Sequence, residues 1–236
     1  MAEARIIVLT PTYNESENIE NLIKRVFGLS IPNLKMIVVD DNSPDGTAEI
    51  VRKYIEIYPI ELICREKKQG LGPAYVEGFK KALSDRPAFI IQMDADLSHD
   101  PGLIPDLLVK IKTHDVVLGS RYIEGGKIEN WDRFRMLVSS LGNLYARTVL
   151  DVPIRDLTSG YKCWRPEALR KINLESLSSL GYNFQIETIY RAYMNKSKIC
   201  EIPIVFRERK LGRSKFNLPI MVESFFKVLV LRLREK

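Results

Sequence analysis

Short runs of apolar, often β-branched residues alternate over the first 120 positions with segments whose apolar residues recur every three or four positions. The first such segment places its apolar residues on one helix face: Ile19, Leu22, Ile23, Val26 and Phe27. The continuous apolar runs predict strands at 5–10, 34–41, 60–65, 88–93 and 115–120. Because these strands are apolar on both faces and alternate with helices, the pattern predicts an α/β fold with a mostly parallel sheet and helices on both sides.

The regular alternation ends after residue 120. A glycine-containing loop at 122–131 precedes a helical stretch near 134–145, and a further strand is predicted within 198–206. No linker or repeat separates these segments. The pattern therefore predicts one compact domain over 1–216, followed by an amphipathic helix over 217–236.

Composition limits the classes of protein to which the chain can belong. No uninterrupted apolar run exceeds four residues, whereas a membrane-spanning helix needs about 20, so we expect neither a spanning segment nor a secretory signal. The three cysteines are widely spaced and indicate reduced thiols, and two histidines are too few for a histidine-rich metal site. These features predict a cytoplasmic protein.

The basic character of the chain is confined to its C-terminal part. Residues 196–236 carry a net charge of +7, and the other 195 residues carry a net charge of −1. Five cations fall within the nine residues 207–215. Such a cluster suits phosphates, an anionic membrane surface or nucleic acid, and composition alone does not choose among them.

Polar clusters follow three of the predicted strands. The first strand leads into 11–15, the second into 40–46 and the fourth into 94–99. Ligands of open α/β sheets bind beyond the carboxyl ends of the strands. We therefore expect the three clusters to meet at one edge of the sheet and to form the site.

The residues at this edge favour a metal-assisted site for phosphates over a glycine-lined one. The turn after the first strand reads PTYNES in place of GxGxxG, and the chain has no GxxxxGK[ST] motif. Where acidic residues face anionic phosphates, a divalent cation is needed between protein and ligand. Asp94 and Asp96 offer the hard oxygen ligands that Mg²⁺ or Mn²⁺ prefers, although acidic pairs also serve simply to form turns.

Six segments follow one another from residue 11 to residue 216: PTYNESENI, VVDDNSPDGT, MDADLSHDP, GSRYIEGG, DLTSGYKCW and GRSKF. Together they resemble the inverting glycosyltransferases of family 2, and within them the dolichol-phosphate (polyprenyl-phosphate) mannosyltransferases. The resemblance implies a GT-A-like nucleotide-sugar-binding fold and metal-dependent transfer of mannose from GDP-mannose to a dolichyl or polyprenyl phosphate. The chain departs from the family pattern at Ser98, where some relatives carry a metal-binding glutamine.

The resemblance also implies a set of site residues. Those expected to line the base and ribose pocket are Pro11, Tyr13, Glu15, Val39 and Asp41. Those expected to contact the nucleotide sugar or the metal are Asp94, Ala95 and Asp96, with Ser98 as a weaker candidate ligand. Those expected to meet phosphates or sugar during catalysis are Arg121, Arg209 and Lys215. The candidates for the acceptor phosphate are Arg121, Arg133 and Arg135.

Several of these residues also have a structural interpretation. Tyr13 offers a base an apolar face with a polar tip, or it packs in the core. Glu15 accepts hydrogen bonds from a base or ribose, or it belongs to the first turn of a helix. His99 is expected to be a hydrogen-bonded loop residue rather than a proton shuttle. Ser43 and Pro44 are expected to begin the second helix.

The chemistry of the implied reactants predicts a mechanism. A phosphate monoester has a second pKa of about 6, so the acceptor is its own nucleophile and no general base is needed. The metal and the cations would stabilise the leaving diphosphate, with inversion at the anomeric carbon. Two alternatives stay open: transfer from a UDP-sugar, for example glucose, and a non-catalytic protein that binds a nucleotide sugar.

The C-terminal segment suggests how such an enzyme reaches a lipid acceptor. Its apolar positions from 218 onward are interrupted by charged ones. This pattern is too polar to span a bilayer but suits a helix in the interface of the cytoplasmic membrane face. The alternatives are an ordinary helix packed on the sheet and a docking site for a small transmembrane partner subunit. Nucleic acid is not expected as a partner.

Overall fold

A seven-stranded sheet is the centre of the computed structural model, which describes residues 5–177, 179, 181–207 and 218–234. The strands of this sheet and of a smaller two-stranded sheet are β1 (Ile6–Thr12), β2 (Leu34–Asp40), β3 (Ile60–Cys64), β4 (Phe89–Gln92), β5 (Val116–Ser120), β6 (Lys127–Glu129), β7 (Lys162–Trp164), β8 (Ile199–Pro203) and β9 (Val205–Arg207). The order across the large sheet is β3-β2-β1-β4-β7-β5-β8. Strand β7 runs antiparallel to β4 and β5, and the other neighbouring pairs are parallel. The predicted mostly parallel sheet is confirmed.

Helices cover both faces of the large sheet. They are α1 (Ile19–Phe27), α2 (Thr47–Ile55), α3 (Leu71–Ser84), α4 (Ile104–Lys110), α5 (Arg133–Leu150), α6 (Pro166–Lys171), α7 (Tyr182–Met194) and α8 (Leu218–Arg234). The predicted start of the second helix is wrong, since α2 begins at Thr47. The amide and hydroxyl of Ser43 instead donate to the carboxylate of Asp40, at 2.8 and 2.6 Å, which holds this segment in a loop.

The core has two layers because successive strand residues point to opposite faces of the sheet. Ile7 and Leu9 of β1 face a layer that includes α3 and α7, whereas Val8 faces the layer formed with α1 and α4. Helix α3 lies directly on the sheet. A Cβ atom added to Gly78 would lie 2.3 Å from Leu9 Cδ1 and 3.0 Å from Val39 Cγ2, so only glycine permits this approach. The start of α3 is thereby fixed beside the carboxyl ends of β1 and β2.

Helix α8 packs with one side against α5 and α7. The Phe225 and Tyr145 rings stack with their centres 4.1 Å apart, and the Tyr145 hydroxyl donates to the Phe225 carbonyl oxygen at 2.9 Å. Val228 and Leu231 are buried in the same core layer as α3. This inner side of α8 is an ordinary packed helix face. No helix in the described residues is long and apolar enough to cross a bilayer.

Candidate active site

A cleft of about 480 Å³ opens at the carboxyl ends of β1, β2 and β4, where the polar clusters were expected to meet. The predicted site residues that line it are Pro11, Tyr13, Glu15, Asp41, Asp94, Ala95, Asp96, Ser98, Arg121 and Arg135. Two others do not line it: the side chain of Val39 is buried in the core, and Arg133 is exposed at the start of α5. Arg209 and Lys215 lie outside the described residues.

One wall of the cleft is the loop after β1, which is hydrogen-bonded to the loop after β2. The three consecutive backbone amides of 14–16 donate to side-chain oxygens of Ser43, Thr47 and Asp45, each at 3.0 Å. The loops after β1 and β2 therefore form one unit before any ligand binds. This unit holds Tyr13 and Glu15 at the rim of the cleft.

Asp41 fixes a second loop, which runs from β3 to α3. Its carboxylate accepts a 2.7 Å hydrogen bond from Arg65 Nη1 and further bonds from the backbone amides of Gln69 and Gly70. The Asp41 and Arg65 side chains are both almost completely buried. Breaking a buried pair of this kind costs about 3–5 kcal/mol. The loop carries Lys68, whose ammonium lies 3.5 Å from the centre of the Tyr13 ring, so Asp41 organises this side of the cleft.

Two groups orient Asp94 and its backbone, and the sequence analysis did not connect either of them with Asp94. The Tyr75 hydroxyl donates to Asp94 Oδ1 at 2.8 Å, and the Asp94 backbone amide donates to His99 Nδ1 at 3.1 Å. Burial and the neighbouring Asp94 raise the pKa of Tyr75 well above its usual value, so its hydroxyl keeps the proton that it donates. Burial also raises the pKa of Asp94, and a nearby cation would favour the ionised carboxylate.

His99 is a buried residue of the loop, in agreement with the structural interpretation. Its ring stacks on Tyr161 with the centres 5.1 Å apart. Burial lowers the pKa of His99, which leaves the imidazole neutral at pH 7. Because Nδ1 accepts from the Asp94 amide, the neutral ring carries its proton on Nε2.

Asp96 is held by the turn that follows it. Its Oδ1 accepts from the Ser98 hydroxyl at 2.6 Å and from the Ser98 amide at 3.1 Å. The turn places Leu97 at φ +61°, a left-handed conformation that is uncommon for a bulky side chain. Ser98 thus supports Asp96 directly.

The donor set at Asp94 and Asp96 suits a hard divalent cation. Within the described part of the chain, no cluster of three or more Asp, Glu, His or Cys side chains could hold a metal by itself. Mg²⁺ commonly binds through one or two carboxylates while substrate phosphates and water complete its shell. Two carboxylates in an open cleft fit that pattern.

Arg121 lies at the other side of the cleft in a buried ion pair. Its Nε and Nη2 each donate to an Asp156 oxygen at 2.7 Å, and Nη2 also donates to Thr158 Oγ1 at 2.6 Å. Burial by itself would raise the pKa of Asp156, but Arg121 brings it below the usual value. The ion pair fixes the guanidinium at the end of β5.

Arg135 enters the cleft from the first turn of α5, and Arg133 does not. The Asp132 carboxylate caps this helix by accepting from the Arg135 amide at 2.9 Å. The Arg135 guanidinium lies over the Trp131 ring, 4.1 Å from its centre. Of the two arginines that the sequence offered here, Arg135 lines the cleft and Arg133 does not.

A buried polar network lies behind Asp94, and the sequence analysis did not identify it. Lys162 Nζ donates to Gln185 Oε1, which also accepts from Gln92 Nε2 at 2.7 Å, and Gln92 Oε1 accepts from Trp164 Nε1 at 3.0 Å. Burial lowers the pKa of Lys162 to about 7, against the opposing effect of Asp94 and Asp156. The sequence contains one indication of this network, which is a lysine between aromatic residues in the segment GYKCW. The strand that contains it is too short for a pattern of buried positions to be recognised.

Comparison with known proteins identifies the family. Residues 7–173 match the family described as Glycosyl transferase family 2. The chain belongs to this family. It is 38% identical over 225 residues to the undecaprenyl-phosphate mannosyltransferase of Micrococcus luteus, covering 95% of this chain and 92% of that protein. It is 40% identical over 227 residues to the polyprenol monophosphomannose synthase of Mycolicibacterium smegmatis, covering 95% and 85%.

The fold is also found in solved glycosyltransferase structures. Glucosyl-3-phosphoglycerate synthase from Mycobacterium tuberculosis, crystallised with Mn²⁺, UDP and glucosyl-3-phosphoglycerate, superimposes with a TM-score of 0.73. The match covers 98% of this chain and 80% of that one at 19% sequence identity. The predicted GT-A-like fold is confirmed, and the protein is a glycosyltransferase.

We expect Tyr75→Phe to lower kcat/KM for the sugar donor by about tenfold or more, because a hydrogen bond to a charged group contributes about 1.5–3 kcal/mol. The melting temperature should fall by several degrees, because the same bond contributes to stability, but the fold should be retained because the ring still stacks on Phe184. Initial rates against donor concentration and thermal melting measure the two effects. Tyr190→Phe is the matched control, because Tyr190 is also fully buried but its hydroxyl contacts Arg232. Equal kcat/KM values for the two variants would contradict the orienting role of Tyr75.

Proposed function

We propose that this glycosyltransferase transfers mannose from GDP-mannose to a polyprenyl phosphate such as dolichyl phosphate, with Mg²⁺ or Mn²⁺ as cofactor. The observation that carries the proposal is a single cleft with Asp94 and Asp96 on one side and Arg121 and Arg135 on the other. Such a cleft suits a metal-bound diphosphate opposite a second anion. The names of two relatives that align with 95% of the chain support the same donor sugar and acceptor class.

The donor occupies the side formed by β1, β2 and β4 in this proposal. Pro11, Tyr13 and Glu15 line the base and ribose pocket, and Asp41 shapes it through the loop that bears Lys68. Val39 is completely buried and does not line the cleft, so it takes no direct part in this pocket. The diphosphate would lie in the part of the cleft lined by Ala95, with the cation between it and the two carboxylates.

Asp94 and Asp96 would hold the metal, and the Ser98 hydroxyl would support Asp96 rather than act as a main ligand. When bound, the metal neutralises the diphosphate and stabilises the charge that develops on it as it leaves. We assign Arg209 and Lys215 to the same negative charge, on their sequence position in the basic segment.

The acceptor phosphate lies on the side of Arg121 and Arg135 in this proposal. One of its oxygens forms a bond to the anomeric carbon of mannose while the bond from that carbon to the β-phosphate oxygen of GDP breaks. The electron pair of the broken bond leaves with GDP, and the configuration of the carbon inverts. The phosphate is already anionic, so no protein base is required. The neutral His99, with Nδ1 occupied by an amide, is consistent with this absence.

A transfer assay tests the reaction and the metal together. We expect the wild-type enzyme to transfer label from GDP-mannose, and not from UDP-glucose, to a polyprenyl phosphate in the presence of Mn²⁺. Asp96→Ala should abolish the transfer while the circular dichroism spectrum is unchanged, since Asp96 is at the cleft and outside the core. Asp106→Ala is the control, because Asp106 is an exposed residue of α4. Normal turnover by Asp96→Ala at saturating Mn²⁺, or preferred use of UDP-glucose, would contradict the proposal.

An apolar surface beside the cleft suits an enzyme with a lipid acceptor. It consists of exposed side chains of α5 and α8, between 39% and 75% accessible: Phe134, Leu137, Leu141, Leu144, Phe225, Phe226, Leu229, Val230 and Leu233. The first turn of α5 contributes Phe134 to this α5–α8 surface and Arg135 to the cleft. Contiguous apolar area of this kind marks interaction with a membrane or with a partner. We propose that it rests in the interface of a membrane's cytoplasmic face.

Vesicle flotation tests this placement. We expect the wild-type protein to float with anionic vesicles, and the double variant Leu141→Glu, Phe226→Glu to remain in the dense fraction, because two buried charges oppose insertion. All substituted residues are exposed, so the fold should be retained. The control is Ile57→Glu, Val109→Glu, in which two similarly exposed apolar residues lie elsewhere, one in the turn after α2 and one in α4. Deletion of α8 would be a poorer test, since Val228 and Leu231 belong to the core. Equal flotation of the two double variants would exclude the α5–α8 surface as the membrane contact.

A further inference from the structure

Trp131 lies where two cationic side chains of the cleft come together. The Arg135 guanidinium carbon is 4.1 Å from the centre of its ring, and that of Arg121 is 6.0 Å from it. Phe206 meets the ring edge-on, with the centres 5.6 Å apart, and also lies 5.2 Å from the Arg121 guanidinium carbon. Trp131 thus contacts both arginines and has a fixed aromatic neighbour.

The backbone around Trp131 is constrained on both sides. Two residues before it, β6 ends in a parallel pairing with β9, in which Ile128 faces Phe206. The adjacent Glu129 and Arg207 form an ion pair at 3.0 Å. The next residue, Asp132, caps α5 through the Arg135 amide. The small β6–β9 sheet and the start of α5 therefore determine where the indole lies.

A stacked ring orients a guanidinium without using its donors. The attraction acts through the face of the planar cation, whereas its five N–H groups point outward in the plane. The Arg121 ion pair with Asp156 engages Nε and Nη2 on one edge. An aromatic contact can therefore hold these cations in place while competing little with an anion for their N–H groups.

We propose that Trp131 is a positioning residue for the acceptor phosphate: its ring holds Arg135 and borders Arg121 so that both guanidinium groups face the same anion. This inference rests on the proposed function and extends it to a residue that contacts the phosphate only through its neighbours. The indole Nε1 is buried and has no hydrogen-bond partner among the described residues. Trp131→Phe keeps an aromatic ring beside both arginines and removes only the indole N–H and part of the ring face, so it should be a conservative change for their positioning.

Kinetics with a soluble acceptor distinguish a loss of arginine positioning from a general loss of structure. With farnesyl phosphate as acceptor, we expect Trp131→Ala to raise the acceptor KM by about tenfold while the donor KM stays within about twofold. Trp131→Phe should restore the acceptor KM to within about threefold of the wild-type value. Arg135→Lys should resemble Trp131→Ala, because an ammonium does not stack as a guanidinium does, and the double variant should be little worse than either single one.

Fluorescence gives a readout that does not depend on turnover. The chain has two tryptophans, and the other, Trp164, is completely buried in the core. Binding of farnesyl phosphate without donor should change the emission of the wild-type enzyme and leave that of Trp131→Phe unchanged.

Three results would overturn the proposal. The first is an acceptor KM within twofold of wild type in Trp131→Ala. The second is an equal rise in both KM values with a lower melting temperature, which would indicate a structural role only. The third is a wild-type enzyme that transfers mannose to no polyprenyl phosphate, which would remove the proposed function as well. In the first two cases wild-type transfer persists, so the failures are distinguishable.

Discussion

Buried carboxylates at the carboxyl edge of the sheet are the constraint on which the rest of the structure depends. An ionised group is stable away from water only if it is paired or hydrogen-bonded. Asp41 meets this requirement through Arg65 and two backbone amides, and Asp156 meets it through Arg121. Each pair also fixes a loop or side chain of the cleft. The contacts that stabilise the buried charges are therefore the same contacts that position the residues of the site.

The two pairs divide the cleft into halves with different chemistry. On the Asp41 side, the carboxylates of Asp94 and Asp96 face the space together with Tyr13 and Lys68, which suits a nucleotide and a cation. On the Asp156 side, guanidinium groups and aromatic rings face it, which suits a second anion. Transfer between two phosphate-bearing substrates needs both environments within one cleft and a short path between them. The family and the relatives are consistent with that chemistry.

Much of the fold could be predicted from the sequence because its first five strands are continuous apolar runs and its first helix has clear helical spacing. The first five strands and α1 follow from apolar runs and helical spacing alone. Strand β7 could not be found in this way, since it has three residues with Lys162 at its start and pairs antiparallel within a parallel sheet. The start of α2 was missed because Ser43 bonds to Asp40 rather than capping a helix.

The candidate site was only partly accessible from the sequence. Asp94 and Asp96 stand out because they directly follow an apolar strand. Tyr75 and Trp131 do not, because their roles depend on contacts with residues that are distant in the chain or on another element. The continuous apolar run of β2, which is buried on both faces, argues for a buried Val39, although the family resemblance placed it in the pocket.

In the proposed reaction, the carboxylate side of the cleft binds a nucleotide diphosphate through a metal ion. Calorimetric titration of GDP into the wild-type enzyme, with Mn²⁺ and then with EDTA, tests this most directly. We predict that Mn²⁺ tightens GDP binding by at least about tenfold, because two carboxylates repel a diphosphate that no cation screens. Equal affinity in Mn²⁺ and in EDTA would contradict the account.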